Sequence, residues 1–541
     1  MSPRGASSDG RPARVAREAG CLFAYFLGAA IFTFPLVLEL NRAVTDLADP
    51  LINTWAISWV IHQLPRDPLH LFQANVLYPH PASLAFFDHM VGIALLVAPI
   101  ELVFRQPVAT HNVALLLSIA LSGYGVSRLV RDLSGSAAAG AVAGSIFAFA
   151  PYRLGQLSHI QLQAAGFIPL LYLCLSRYLE QGRRRHAAGV ALCLWFTSAS
   201  CGYYGVFTWI LLGVAVPYEA IRTGVFRRPR RLLGLGLALT LSALAYFPLA
   251  LPYIRRSQEG FGRSLERMVR PSADMKSYLR TRGHLHQAVG LKPAGAEENL
   301  FPGFLALGLA AIALLQPSRL SGLYLAVGAA AVWASMGPAA GLYSFLFRFG
   351  PGVSALRVPA RFGIYVLFAL SVLAGLATAK VLGRLRGRQR SLVATALALF
   401  PLVESFGGPI VYDRAPGLPS VYGWLAARPE PAPVVELPMP ACDEFRRNAV
   451  YMLWSTAHFK PLAFSCQLAA ELERFPDEAG MNALRRLGVR WVILHRNLYL
   501  RARGEQMERA LNRDRGLKQV HRTDYETVYE VTPQSSRAGG P

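Results

Sequence analysis

The sequence predicts a polytopic all-α transmembrane bundle of about eleven spans, followed by a small C-terminal α/β extracytoplasmic domain. Three observations lead there. Hydrophobic residues make up 53% of the chain and charged residues only 16%, where a soluble protein carries about 25% charged. The apolar residues fall in long runs separated by short arginine-rich segments, the pattern of helices that cross a bilayer. From about residue 407 charged residues become common, and no later run is long enough to cross.

Residues 1–19 carry Arg4, Arg11, Arg14 and Arg17 ahead of an apolar run over 20–40. That run has no small-residue cleavage site, so it reads as a retained first span with a cytoplasmic N-terminus. A long polar stretch follows, NRAVTDLADPLINTWAISWVIHQLPRDPLHLFQANVLYPHPASLAFF. It holds Asp46, Asp49 and Asp67, with Asp88 one residue beyond. Its Trp55, Trp59 and Tyr78 read as aromatics of the lipid–water boundary. DHMVGIALLVAPIELVF, 88–104, is apolar but short of the roughly 20 residues a span needs.

Later spans are expected at 109–128, 136–151, 160–178, 187–201, 203–221, 232–254, 301–316, 320–336, 361–380 and 390–406. If 88–104 does not cross, Arg128, Arg131, Arg177, Arg183–Arg185, Arg222–Arg231, Arg319 and Lys380–Arg390 all fall in the cytoplasm. The positive-inside rule favours that arrangement. It makes 88–104 a surface helix within an outer loop of 41–108 and places the tail outside. The same rule accounts for the net charge of +23. Nucleic-acid binding is disfavoured, because the arginine clusters lie between apolar runs rather than on one domain.

One outer loop, 255–300, departs from the rule with Arg255, Arg256, Arg263, Arg267, Arg270, Lys276, Arg280, Arg282 and Lys292. Segment 337–361 adds Arg348, Arg357 and Arg361. These cations either touch lipid head groups and neighbouring acids, or hold a phosphate with the bidentate fork of arginine. Within 407–531, APVVELP and VRWVILHR read as buried strands and DEAGMNALRRLG and RARGEQMERALNRDRG as helices. Residues 517–531 read as a closing strand pair, and 532–541 as a disordered tail. Cys21, Cys174, Cys193 and Cys201 lie in apolar runs. Cys442 and Cys466 could pair if the tail is outside the cytoplasm. No CxxC or HExxH occurs, so the sequence carries no metal signal.

The chemistry must therefore come from carboxylates, histidines and arginines of the outer loops, since no nucleophile motif, P-loop or dinucleotide fingerprint is present. That set suits the transfer of a sugar held on a lipid phosphate to an acceptor hydroxyl. A carboxylate takes the hydroxyl proton, and arginines stabilise the departing phosphate. Neither step needs a metal or a soluble nucleotide.

The segments TDLADPLINTW, DHMVGIALLVAPIELVF and SRLVRDLSGS are arranged as a post-span acid, a surface helix and a basic turn between two spans. In this plan the chain resembles the GT-C class of polytopic membrane glycosyltransferases. FAPYRLGQLSHIQL, LRVPARF and VVELP also resemble a widespread group of bacterial membrane proteins of that plan. The resemblance implies a bacterial inner-membrane enzyme with a polyprenyl-phosphate sugar donor and a glycan, lipid or protein acceptor. It implies no further cofactor and no divalent metal. The first loop lacks the paired Asp-Glu of protein mannosyltransferases and the Trp-Trp-Asp of oligosaccharyltransferases, so donor sugar and acceptor do not carry over.

Asp49 is the first candidate base; it precedes Pro50, which holds its backbone extended. Its alternative role is to start the helix in LINTWAISWVIHQL. Asp46 is the second candidate. Asp88 and His89 open the surface helix, as substrate contacts or as a cap. Arg153 and His159, in PYRLGQLSHIQ, either reach the donor or snorkel to the boundary. Arg357 and Arg361 flank Pro359 and are candidates for the phosphate. Tyr203 and Tyr204 read as boundary aromatics, and Glu436 and His458 as structural. Two other functions fit the same spans. A transporter or flippase for lipid-linked glycans would bury charges mid-span and break helices in matched halves. A scaffold displaying the C-terminal domain would leave the outer acids and arginines apart.

Overall fold

The computed structural model describes residues 11–261, 269–349, 352–441 and 444–532. They form two compact units, one within 1–40 and 112–411, the other within 41–111 and 412–541. The expected positions Arg263, Arg267 and Cys442, and the tail from 533 on, lie outside the described residues.

The first unit is a helical bundle, and each of the expected apolar stretches contains a helix. Seven helices among the described residues are long and apolar enough to cross a membrane, so the protein is a membrane protein. The other expected stretches hold Arg184–Ser200, Phe304–Leu315, Arg319–Ser335 and Gly387–Ser405. The first helix runs Arg11–Phe32 rather than over 20–40. It stops ahead of Pro35, which lacks the N–H a continuing helix needs, and Leu36–Leu38 make a single 3-10 turn. Left-handed Gly182 and Gly224, at φ +72° and +62°, close Phe167–Gln181 and Gly202–Thr223.

Gly363–Arg384 lies at the centre of the bundle, where Phe368 meets Phe147, Tyr172 and Tyr324. Pro229–Arg256 instead leaves Leu233, Leu237, Leu241, Leu244 and Phe247 exposed, as suits a helix facing acyl chains. Tyr203 and Tyr204 are not boundary aromatics. Both are buried, and the Tyr204 hydroxyl donates to Leu162 O at 2.7 Å.

The second unit is built on a four-stranded sheet: β1 Val434–Leu437, β2 Trp491–His495, β3 Leu517–Arg522 and β4 Glu526–Val531. Strand order is β1-β2-β4-β3, with β1 and β2 parallel and the other pairs antiparallel. Helices Glu478–Arg486 and Arg501–Arg513 match the expected ones. Ser420–Ala426, Phe445–Ser455 and Cys466–Glu471 are additional.

Residues 41–111 are knitted into this unit. Ala43–Val44 pairs with Asp413–Arg414. The Asn75 side chain donates to Ser455 Oγ at 3.0 Å, and Leu462 N donates to Asn75 O at 2.7 Å. Helix Asp49–Gln63 is buried from Pro50 to Ile61. Trp55 and Trp59 are therefore core residues, not boundary aromatics; their indoles donate to Asn75 Oδ1 and Leu71 O, each at 2.9 Å. Tyr78 is partly buried against the same unit's core. Cys466 is disulfide-bonded.

Candidate active site

In the bundle, Pro151 ends one helix and begins the short helix Pro151–Leu154, fixing φ at a first helical position. This turns Arg153 inward until it is 1% exposed. One terminal nitrogen, Nη2, donates to Ser122 Oγ at 3.1 Å and Gln163 O at 2.9 Å. The guanidinium lies 5.0 Å over the Phe147 ring. Its Nε and Nη1 are buried with no hydrogen-bond partner among the described residues. A buried guanidinium with idle donors is costly, and the two nitrogens keep the capacity to donate to an anion.

The network runs on from Arg153. Gln163 Nε2 donates to Arg153 O at 2.8 Å and to Gln156 O at 3.1 Å. Gln156 Nε2 reaches Glu297 Oε2 at 3.5 Å. Glu297 accepts from Arg361, which is 3% exposed and lies 4.7 Å over the Tyr203 ring. Buried Tyr152 is within electrostatic reach of Glu297, Arg361 and Arg153. Arg357 joins through its backbone, donating to the Tyr203 hydroxyl at 3.2 Å, while its side chain is exposed. His159 is half-buried in the same turn, its N–H donating to Gln156 O at 3.1 Å.

Two anticipated cationic side chains, Arg153 and Arg361, thus fall on one network in the bundle, and Arg357 meets it only through its backbone. Glu297, its central acid, was not singled out by the sequence reading. The adjacent acids of the EENLFPGF turn, two of the five in the 255–300 loop, are the available signal.

The anticipated acids belong to the other unit. Asp46 Oδ1 accepts from Ala48 N at 2.8 Å, closing a side-chain turn ahead of the helix. Asp49 is the first residue of Asp49–Gln63 and half-buried, where a carboxylate is favoured by the helix dipole. Asp88 is half-buried. His89 does not open the next helix, which starts at Val91 after the left-handed Met90. Its Nδ1 accepts from Val91 N at 3.2 Å, and burial holds its pKa down at about 4. The ring is therefore neutral near pH 7.

Glu436 has a constellation the sequence did not reveal. Its Oε2 accepts from His495 Nε2 at 2.8 Å and its Oε1 from the Tyr422 hydroxyl at 3.0 Å, all three buried. Among the described residues, no group of three or more His, Cys, Asp and Glu is placed to hold a metal ion.

No protein-family model matches the sequence, and no curated protein matches it. Solved structures do match. The chain is similar to apo ArnT from Cupriavidus metallidurans, at 13% identity and a TM-score of 0.50, over 97% of this chain and 99% of that one. It is also similar to the arabinofuranosyltransferase AftD from Mycobacteria, at 16% identity and a TM-score of 0.54, over 98% of this chain and 42% of that one. The chain has the GT-C fold. That is the fold of membrane glycosyltransferases, and at these identities the likeness concerns the fold alone.

Proposed function

We propose that this GT-C chain is an integral membrane glycosyltransferase. It moves a sugar from a polyprenyl-phosphate donor to an acceptor hydroxyl at the periplasmic face of a bacterial inner membrane. The observation that carries the reading is Arg153, buried with two idle nitrogens and tied through Gln163, Gln156 and Glu297 to buried Arg361. Arginine forks suit a phosphate oxygen. The shared fold with an arabinofuranosyltransferase supports a glycosyl group as the cargo.

In this reading Asp49 accepts the acceptor's hydroxyl proton as the oxygen attacks the anomeric carbon. The bond from that carbon to the phosphate oxygen breaks, and the electron pair leaves on the polyprenyl phosphate. Within the bundle, Arg153 and Arg361 are the candidates to hold the donor's phosphate. Asp46 is the second candidate base. Asp88, His89, His159 and Arg357 are further substrate contacts. Helix Val91–Phe104 has 14 residues, too few to span, which supports reading it as a helix on the outer surface. The basic inter-helix segments support a cytoplasmic N-terminus and a periplasmic α/β unit.

The test is transfer of radiolabelled sugar from a polyprenyl-phosphate donor by the purified chain, wild type against Asp49→Asn. A fall of about a hundredfold or more is expected for loss of a general base. Equal rates in the two proteins would remove Asp49 from the role.

A further inference from the structure

We propose that an open cleft in the α/β unit binds an organic phosphate, a site separate from the arginine network of the bundle. The cleft has a volume of about 590 Å3 and lies beyond the carboxyl ends of the parallel strands β1 and β2. Leu437 and Met439 reach it from the end of β1, and Tyr499 and Leu500 from just past β2. In open α/β sheets, ligands bind outside the carboxyl ends of the strands. A volume of several hundred Å3 with mostly apolar walls and a few polar groups is the usual build of a small-molecule site.

The polar groups are specific. Arg447, Arg503 and Tyr499 all line the cleft. Among the described residues, Glu473 is the one carboxylate in the lining, beside the two arginines. Arg447 is paired with Glu444 at 2.8 Å, whereas Arg503 makes no ion pair among the described residues. Each arginine occupies the first turn of its helix, Phe445–Ser455 or Arg501–Arg513. A cation there opposes the helix dipole, and Arg501–Arg513 has no acid in its first turn to compensate. Local charge placement that works against the helix is expected where function requires it. An anion in the cleft would relieve it, with the guanidinium forks gripping phosphate oxygens. The apolar wall calls for a ligand with a body as well as a charge.

The body can come from a lipid or from a sugar, and one experiment separates them. The full chain in amphipol is titrated calorimetrically with hexyl phosphate, glucose 6-phosphate and inorganic phosphate. At least one organic phosphate should bind more tightly than inorganic phosphate. Arg503→Ala and Arg447→Ala should each weaken it about tenfold or more, and Arg503→Lys, which keeps the charge but loses the fork, should weaken it by less than Arg503→Ala. Preference for hexyl phosphate assigns a lipid-type ligand, and preference for glucose 6-phosphate a sugar-type one. Arg503 is exposed, so its variants should keep the wild-type melting curve. The proposal is overturned if neither organic phosphate binds, if inorganic phosphate binds as tightly as both, or if the alanine variants bind as wild type does. The readout is binding, so it stands or falls apart from the transfer assay.

Discussion

Arg361 donates from Nε at 3.0 Å and from Nη2 at 2.5 Å to one carboxylate oxygen of Glu297. Arg361 is 3% exposed and Glu297 22%. The pair joins the turn before Gly363–Arg384 to the Ala296–Glu298 turn, 64 residues earlier in the chain. Removing the acid alone leaves a buried cation without its counter-charge, at a cost of about 3 kcal/mol. Glu297→Gln should lower the thermal midpoint of the purified protein by several degrees. Arg361→Met with Glu297→Gln should recover part of that loss, because the stranded charge is gone. A double variant no more stable than Glu297→Gln alone would show that the pair does not carry this stability.

Arg153 tests the phosphate reading from the other end of the network. Arg153→Lys keeps a charge but loses the planar fork, and lysine cannot satisfy Ser122 Oγ and Gln163 O while also offering two further donors. The expected result is a KM for the polyprenyl-phosphate donor raised about tenfold, with a smaller change in kcat. An unchanged KM in a protein with a normal melting curve would take Arg153 out of donor binding.

The α/β unit should be sensitive to mild acid. Burial lowers the pKa of His89 to about 4 and that of His458 to about 3, from 6.5. His458 Nδ1 accepts from Lys460 N at 2.9 Å, as His89 Nδ1 accepts from Val91 N, so protonating either ring breaks a bond. Both folded values lie below the unfolded one. The unfolded chain therefore binds more protons as pH falls below about 6.5, and stability is lost progressively down to about 4 for His89 and about 3 for His458. Thermal midpoints recorded between pH 7 and 4.5 should fall for wild type. They should fall less steeply for the His89→Gln, His458→Gln double variant, and equal slopes would refute the assignment.

His495 works in the opposite sense. Burial lowers its pKa, but hydrogen bonds and charge from Glu436 and Glu526 outweigh that and raise it overall. Its stabilising contribution is full below the unfolded value near 6.5 and is lost as pH rises through its folded value. Glu436→Gln removes the partner at 2.8 Å. The variant should be destabilised by about 3 kcal/mol below pH 6 and by less at pH 8. Denaturant unfolding at the two pH values measures the difference.

The helices were legible in the sequence because the bilayer offers the backbone no water. Every N–H and C=O must be satisfied within the segment, so a crossing helix declares itself as a run of about 20 apolar residues. The strands β1 and β2 were legible for a related reason: both faces are buried, so VVEL and WVILH read as continuous apolar stretches with one polar interruption each. Asp49 and Arg361 were legible as candidates, because a polar residue beside a span stands out against an apolar background.

Which polar group meets which was decided only by the tertiary structure. Glu297 finds Arg361 and Glu436 finds His495 across 64 and 59 residues, and nothing local to either partner specifies the pairing. The place of Trp55 and Trp59 is decided in the same way. An indole suits the lipid–water boundary and a protein core equally well, and the choice fell to the core when Asn75 and Leu71 came within hydrogen-bond reach. The sequence by itself determined a membrane bundle followed by an α/β tail. Folding decided that residues 41–111 join that tail in one compact unit, because the hydrogen bonds and buried surface that join them come from segments hundreds of residues apart.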